Sequence, residues 1–220
     1  MRKDVRSGFA FTAGIAALLL MGCMDLDPYA EGDAPVSQAS AAQSALMGGE
    51  PAFGVARCPR EVPTALVPPP NATLAASLTA NGAQIYTCAI PAIGGAPVWT
   101  LKAPHAVLSR GFDLAAIHFA GPSWQAVDGS TVVGARVASA PAPDATAIPW
   151  LLLRATSHTG AGRFDAVTFV QRLATKGGVA PTSGCDADHV GSEVLASYHA
   201  DYFFYVTAAE GVPVQQCASE

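Results

Sequence analysis

The chain is poor in charged residues, and it lacks the short motifs that mark the common catalytic sites. Charged residues make up 13% of 220 positions, with 12 lysines and arginines against 17 acidic residues. A chain with so few cations is poorly suited to neutralising a phosphate backbone, so we expect no nucleic-acid partner. No P-loop, HExxH or GxSxG pattern occurs, and no GxGxxG follows a strand-like segment. These absences disfavour nucleotide-dependent enzymes, metalloproteases and α/β-hydrolases, and we expect no bound metal and no cofactor.

The N-terminal region contains only a short apolar run, which has the pattern of an export signal. Arg2, Lys3 and Arg6 precede an uncharged stretch of about 15 residues, short of the ~20 that span a bilayer. It ends in Leu20-Met21-Gly22-Cys23. This resembles the lipobox of bacterial lipoproteins, in which the cysteine is acylated and becomes the first residue of the mature chain. A plain secretory signal with an incidental cysteine is the alternative.

These features predict a signal peptide over residues 1–22 and lipidation of Cys23. The lipid bilayer is then a partner, and the protein is anchored at the bacterial cell envelope, on the outer membrane or the periplasmic face. Residues 1–22 carry three cations and one acid, so the remaining chain has a formal net charge of −7.

The cysteine count agrees with lipidation. Five cysteines is an odd number, and removing Cys23 leaves four, none of them in CxxC spacing. Four cysteines in an oxidising compartment predict two disulfides, for which three pairings are possible. We favour Cys88–Cys185 and Cys58–Cys217, the second of which would join the start of the domain to its end.

The composition divides the mature chain into a tether and one domain. Residues 33–44 are rich in Ala, Ser, Gln and Pro and have no periodic apolar face. Such a stretch buries too little surface to offset its ordering entropy, so residues 23–57 are predicted to be a disordered tether. Residues 58–220 are predicted to form a single β-rich domain, which is long enough for one core.

The domain has the pattern of an all-β fold, because short β-branched and aromatic segments alternate with Gly, Pro and Asp. The predicted strands are 84–90, 98–102, 115–119, 123–127, 131–138, 150–156, 166–174 and 193–206. A single antiparallel β-sandwich or barrel-like domain follows from this pattern. The segment 71–79 is the one place where we predict a helix.

Three strands allow their faces to be predicted. Asp128-Gly129 favours a two-residue hairpin turn, which would set Trp124 opposite Val133 and on one buried face with Thr131. The segment 150–153 is apolar on both faces, which predicts a strand covered on both sides. Because side chains alternate, Gln171 and Arg172 must face opposite ways, and the buried one needs hydrogen-bond partners.

Several motifs together resemble the domain of unknown function family 3455. They are Gln84-Ile85-Tyr86-Thr87-Cys88, His118-Phe119-Ala120-Gly121-Pro122-Ser123-Trp124, Asp128-Gly129-Ser130, Ile148-Pro149-Trp150-Leu151-Leu152-Leu153, Val170-Gln171-Arg172, Thr175-Lys176-Gly177-Gly178, Cys185-Asp186 and Ala200-Asp201-Tyr202. The resemblance runs from about residue 65 to 206 and supports the pairing of Cys88 with Cys185. The family has no established activity, so the resemblance implies no mechanism.

Candidate functional residues are few and scattered. A surface that binds an anionic or polar small ligand is predicted near His118, Gln171, Arg172 and Lys176, because two cations lie beside a glycine pair. The competing interpretation makes Arg172 a rigid structural corner. Asp201 shares a strand face with a histidine two residues earlier, a pattern that also fits a solvated surface pair.

Two classes of function remain open. One is a non-catalytic binding or structural module displayed on a lipid anchor, and the other is a secreted hydrolase or lyase with a site near His118, Asp128 and Arg172. The missing nucleophile and metal motifs favour the first class.

Overall fold

The computed structural model describes residues 56–207. The predicted signal peptide, Cys23, Cys217 and most of the predicted tether lie outside the described residues. Two residues assigned to the tether, Ala56 and Arg57, contact the domain. Ala56 packs on a buried cluster, and the backbone N–H of Arg57 donates to the Ser77 hydroxyl at 2.9 Å.

Eight antiparallel strands form one sheet that closes on itself. The strands are β1 Ala72–Ala89, β2 Val98–Arg110, β3 Asp113–Phe119, β4 Ser123–Ala126, β5 Thr131–Ala140, β6 Trp150–Thr159, β7 Val167–Gly177 and β8 Glu193–Thr207. Each strand pairs with the next, and β8 returns to pair with β1. The predicted all-β class is confirmed, and of the two architectures the closed barrel is the observed one. Within residues 56–207 no helix is long and apolar enough to cross a membrane.

The predicted helix at 71–79 is wrong, because these residues begin β1. The burial of β1 alternates from residue to residue between Ala72 and Ala80, which is the period of a strand. Alanine and leucine favour a helix locally, but pairing with β8 along this stretch outweighs that propensity.

A bulge at Ala75 explains how β1 contributes side chains to both the barrel interior and an outer cluster. Leu74 pairs with Tyr205 and Ala76 with Phe204, so Ala75 is the extra residue. Leu74 therefore packs in an outer cluster while Ala76 packs inside the barrel. A side-chain alternation that looks continuous in the sequence thus contains a change of face.

The core consists of the barrel interior and this smaller outer cluster. Leu153 packs in the interior, whereas Leu152 packs outside with Leu66, which comes from a short 3-10 turn at Thr64–Leu66. The prediction that the segment 150–153 is covered on both faces is confirmed by these two contacts.

The predicted hairpin register is wrong by one residue. Trp124 pairs with Val132, not Val133, because the loop between β4 and β5 is one residue longer than a two-residue turn. The Gly129 amide donates to the Ala126 carbonyl, and Gly129 has a φ of 88°. A type I turn followed by one left-handed residue is the common three-residue hairpin loop.

Antiparallel pairing divides the connections between two rims. The Gly121 rim contains the connections 90–97, 120–122, 141–149 and 178–192, and the Asp128 rim contains 111–112, 127–130 and 160–166. This division decides which candidate residues can meet.

Candidate functional site

An aromatic cluster fills the barrel interior around His118. The imidazole stacks on the Trp124 indole with ring centroids 4.5 Å apart and an interplanar angle of 4°. The Tyr202 ring meets both rings edge-on, at 5.4 and 5.7 Å. His118, Trp124 and Tyr202 are each at most 2% exposed. The prediction that Trp124 is a core residue agrees with this packing.

Burial makes His118 a neutral side chain. Its pKa is lowered to about 4, chiefly by desolvation; the hydrogen bond to Ser123 raises the pKa, and the charge of Arg172 contributes to the lowering. Nδ1 lies 2.8 Å from the Ser123 carbonyl, which only accepts, so Nδ1 carries the proton. A neutral imidazole enclosed by aromatic rings has the geometry of a satisfied core histidine.

Arg172 faces the interior near the Gly121 rim. Its register partner on β8 is Tyr202, whose hydroxyl it also contacts through a hydrogen bond. Its Nε and Nη2 groups donate to the Pro149 carbonyl at 3.3 and 2.8 Å. Burial raises the pKa of Tyr86, Tyr198 and Tyr202, and the nearby Arg172 charge acts in the opposite direction on all three.

Gln171 faces outward and is fully buried beneath the 3-10 turn. Its Nε2 donates to the Leu66 carbonyl at 2.8 Å, and its Oε1 accepts from the Tyr205 hydroxyl at 3.0 Å. The predicted opposition of Gln171 and Arg172 is confirmed, and Gln171 is the buried member with satisfied partners. Its contacts fasten the turn to the barrel wall.

Asp128 belongs to the other rim, apart from His118 and Arg172. Its carboxylate accepts from the Ser130 amide and hydroxyl at 3.0 and 2.6 Å and from the Arg163 amide at 2.9 Å. Desolvation opposes its ionisation, but these hydrogen bonds outweigh that effect and lower the pKa of Asp128. The carboxylate is occupied in holding two loops together, so the described structure does not assemble the three residues of the hydrolase hypothesis.

Lys176 and Asp201 lie on the outer surface of the barrel. Lys176 is exposed and pairs with His199 in the β7–β8 register. Asp201 accepts from the Thr79 hydroxyl at 3.0 Å, while His199 Nδ1 lies 3.1 Å from Asn81 Oδ1. The histidine and the aspartate therefore have separate partners across β1.

A groove with a volume of about 1140 Å³ lies outside the barrel. We call it the Arg57 groove. Its lining includes Arg57, Arg60, Arg110 and Asp201 and an apolar wall of Trp150, Leu173 and Phe203. Asp201 and the predicted disulfide residue Cys58 both line it.

Two of the arginines in the Arg57 groove have no carboxylate partner among the described residues. Arg57 and Arg60 are exposed, and neither guanidinium forms an ion pair with a carboxylate of residues 56–207. The Nε1 atom of Trp150 is buried without a hydrogen-bond partner in the same range. Arg57 and Arg60 therefore give the groove positive charge against an apolar wall, whereas the buried Trp150 N–H is not exposed in it.

Sequence reasoning missed Arg57 and Arg60. Arg57 was assigned to the tether, and neither residue has a motif around it. The available signal was the pair itself, because two of only 12 cations stand within four residues, on either side of Cys58-Pro59.

The cysteines and the acidic loop before β8 complete the candidate residues. Cys88 and Cys185 form a disulfide, as predicted. Cys58 is also disulfide-bonded, and its pairing with Cys217 stays a prediction because Cys217 lies outside the described residues. Asp186 and His189 pair at 2.6 Å, but no three potential metal ligands are grouped within residues 56–207.

Comparison with known proteins finds a match to one protein family. No curated protein and no solved structure matches the chain. The model of a protein family of unknown function, DUF3455, matches residues 109–206, from the end of β2 into β8. The family resemblance drawn from the motifs is thus confirmed over residues 109–206, and the motif at 84–88 lies outside the matched range.

Proposed function

We propose that this chain is an exported, lipid-anchored and non-catalytic module that binds an acidic ligand in the Arg57 groove. The observation that carries the proposal is the pair of exposed arginines, Arg57 and Arg60, without a carboxylate partner in the described range. Arginine forks bind carboxylate and phosphate groups through paired N–H donors. Two such forks in one groove favour a ligand with two or more acidic groups.

The size and walls of the groove narrow the ligand class. A volume of about 1140 Å³ slightly exceeds the ~300–1,000 Å³ of common small-molecule sites. The apolar wall of Trp150, Leu173 and Phe203 suits rings or methylene groups between the acidic ones. An acidic molecule of several rings or residues satisfies both conditions better than a single small anion does.

The absence of catalysis is supported by how the titratable candidates are engaged. His118 is neutral and sealed by aromatic rings, and Asp128 holds two loops together. In the Arg57 groove, the Asp201 carboxylate accepts from Thr79. The hydroxyl beside Asp128 belongs to the fully buried Ser130, and the hydrogen bonds of the described residues bring no histidine to the Asp128 or Asp201 carboxylate.

The ligand prediction is tested with the double variant Arg57→Gln, Arg60→Gln. Calorimetric titration with citrate, sugar phosphates and short oligogalacturonates is expected to find a ligand of wild-type protein. The variant should bind it roughly 10–100-fold more weakly, because each arginine contributes about 1 kcal/mol or more at a concave site.

The matched control is Arg136→Gln, Arg154→Gln, which removes two exposed strand arginines that are absent from the groove lining. It should keep wild-type affinity. An equal loss in both double variants would reduce the effect to net charge and contradict the groove, as would a wild-type protein that binds none of these acids.

The lipid anchor is tested separately through Cys23. Cys23→Ser is expected to move the protein from the membrane fraction to the soluble exported fraction, or to block cleavage of residues 1–22, because only the thiol accepts the lipid. Cys58→Ser serves as the control cysteine substitution and should leave membrane association unchanged. A Cys23→Ser protein that remains in salt- and carbonate-washed membranes would refute the lipid anchor.

A further inference from the structure

We propose a second binding site, for a small anion, inside the Gly121 rim of the barrel at Arg172. It does not depend on the Arg57 groove, because Arg172 faces the interior with Tyr202 whereas Asp201 of the groove faces outward from the next position of β8. The ligand class is a carboxylate, an inorganic phosphate or a halide, held by charge and N–H donors.

The first argument is charge balance. Arg172 is a partly buried cation, and no carboxylate of residues 56–207 lies within 4.0 Å of it. Its Pro149 and Tyr202 partners are neutral oxygens. A cation removed from bulk water needs a compensating negative charge or retained water, since the cost of desolvating it is several kcal/mol.

Three of the four carboxylates in or next to the connections of this rim are engaged elsewhere, and the fourth, Asp188, forms no ion pair with Arg172. Glu193 pairs with Lys102, Asp186 pairs with His189, and Asp144 accepts from the Thr146 amide and hydroxyl. The described residues therefore supply no carboxylate counter-ion to Arg172, and an anion from solution would balance its charge.

The second argument is an excess of buried donors. Gln84 is 2% exposed, and its Nε2 has no hydrogen-bond partner in the described structure. Alternation along β1 puts Gln84 on the same face as Tyr86, whose hydroxyl reaches the Gly178 carbonyl at this rim. An unpaired buried N–H is costly, and Tyr86 on the same face lies close enough to Arg172 to be affected by its charge, so we infer that the amide serves a ligand oxygen or halide at this rim.

The geometry also explains why the site accepts only a small ion. Tyr198 and Tyr202 are 4% and 1% exposed, and their hydroxyl oxygens lie 3.5 Å apart. Ile148 packs in the same interior cluster. The approach is therefore along the partly exposed Arg172 side chain, and the tyrosine hydroxyls can turn their protons toward an anion held there.

The experiment measures thermal stability of the wild-type mature protein in sodium chloride, acetate, phosphate and perchlorate at constant ionic strength. At 100-fold excess over its Kd, the preferred anion should raise Tm by roughly 5–10 °C. Arg172→Met should lose this anion-dependent shift. Arg136→Met, an exposed strand arginine, should retain it, and so should the Arg57→Gln, Arg60→Gln groove variant.

Gln84→Leu separates binding from folding, because Arg172→Met also loses two hydrogen bonds to Pro149. If the Gln84 amide serves the anion, the leucine variant should fold as stably as wild type in low-affinity salt and should lose at least half of the anion-dependent shift. A wild-type Tm that is the same in all four salts would overturn the proposal. A full shift in Arg172→Met or Gln84→Leu would overturn it too.

Discussion

Replacing Trp124 with alanine is expected to lower the free energy of unfolding by about 3–5 kcal/mol, the cost of deleting a large buried aromatic side chain. Trp124 is 1% exposed and stacks on His118. It also meets the Tyr202 and Phe204 rings edge-on, at 5.7 and 6.2 Å. Three rings from two other strands therefore lose a shared neighbour, and a closed barrel cannot collapse easily around the space that remains.

The measurement is urea unfolding, followed by circular dichroism because the variant lacks one of three tryptophans. Trp99→Ala is the matched control, since Trp99 is only partly buried and its Nε1 donates to the Ser183 carbonyl near the Gly121 rim. Trp99→Ala should lower the free energy of unfolding clearly less than Trp124→Ala does. Equal losses in the two variants would show that Trp124 has no special place in the core.

The orientation of Trp124 was predictable although its register was not. Side-chain alternation within β4 depends only on β4, and it places Trp124 and Ala126 on one face whatever strand lies opposite. The register depends on the length of the turn, and the Asp128 carboxylate captures the Ser130 amide and hydroxyl in a longer loop. The one-residue error exchanged the two faces of β5, so Val132 is buried where Thr131 was expected.

The same distinction applies to Gln171 and Arg172. Their opposition follows from alternation, and it was predicted correctly. Which of them is buried depends on what covers each face, namely the Thr64–Leu66 turn outside and the aromatic cluster inside. The turn lies about 100 residues away in the sequence and the cluster residues lie 30 or more residues away, so no local pattern expresses this information.

The Arg57 groove was unpredictable for a similar reason. It combines residues that precede β1 with residues on β6, β7 and β8, and these meet only because the barrel closes between β1 and β8. Sequence patterns indicated eight strands, but the closure of the sheet between β1 and β8 determines which segments distant in sequence become neighbours. Asp201 was singled out for its neighbour His199, whereas its actual setting is the groove beside Arg57 and Arg60.

Acidification from pH 7.5 to pH 4 is expected to cost the protein about 3 kcal/mol of stability through His118 alone. Its pKa is about 4 in the folded protein and about 6.5 in the unfolded chain. Between these values the unfolded chain binds a proton that the folded protein does not, so falling pH favours unfolding. The loss of unfolding free energy caused by His118 is negligible above pH 6.5 and grows as the pH falls toward 4.

Carboxylates also titrate in this range, so the test compares two proteins. His118→Phe keeps a ring against Trp124 but cannot be protonated, and the unfolding free energies of variant and wild type are measured in urea at pH 7.5, 6, 5 and 4. Because Asp128, whose pKa is lowered by its hydrogen bonds, is present in both proteins, its acid sensitivity cancels in the comparison. Wild type should lose about 3 kcal/mol more of its unfolding free energy than His118→Phe does, with most of the difference appearing between pH 6 and pH 4.

Parallel pH profiles would mean that His118 is solvated in the native barrel, and His118 would then again be a candidate proton-transfer group. A steeper wild-type profile would instead establish His118 as a neutral part of the core, since a base that the solvent cannot protonate above pH 5 has no path to a substrate.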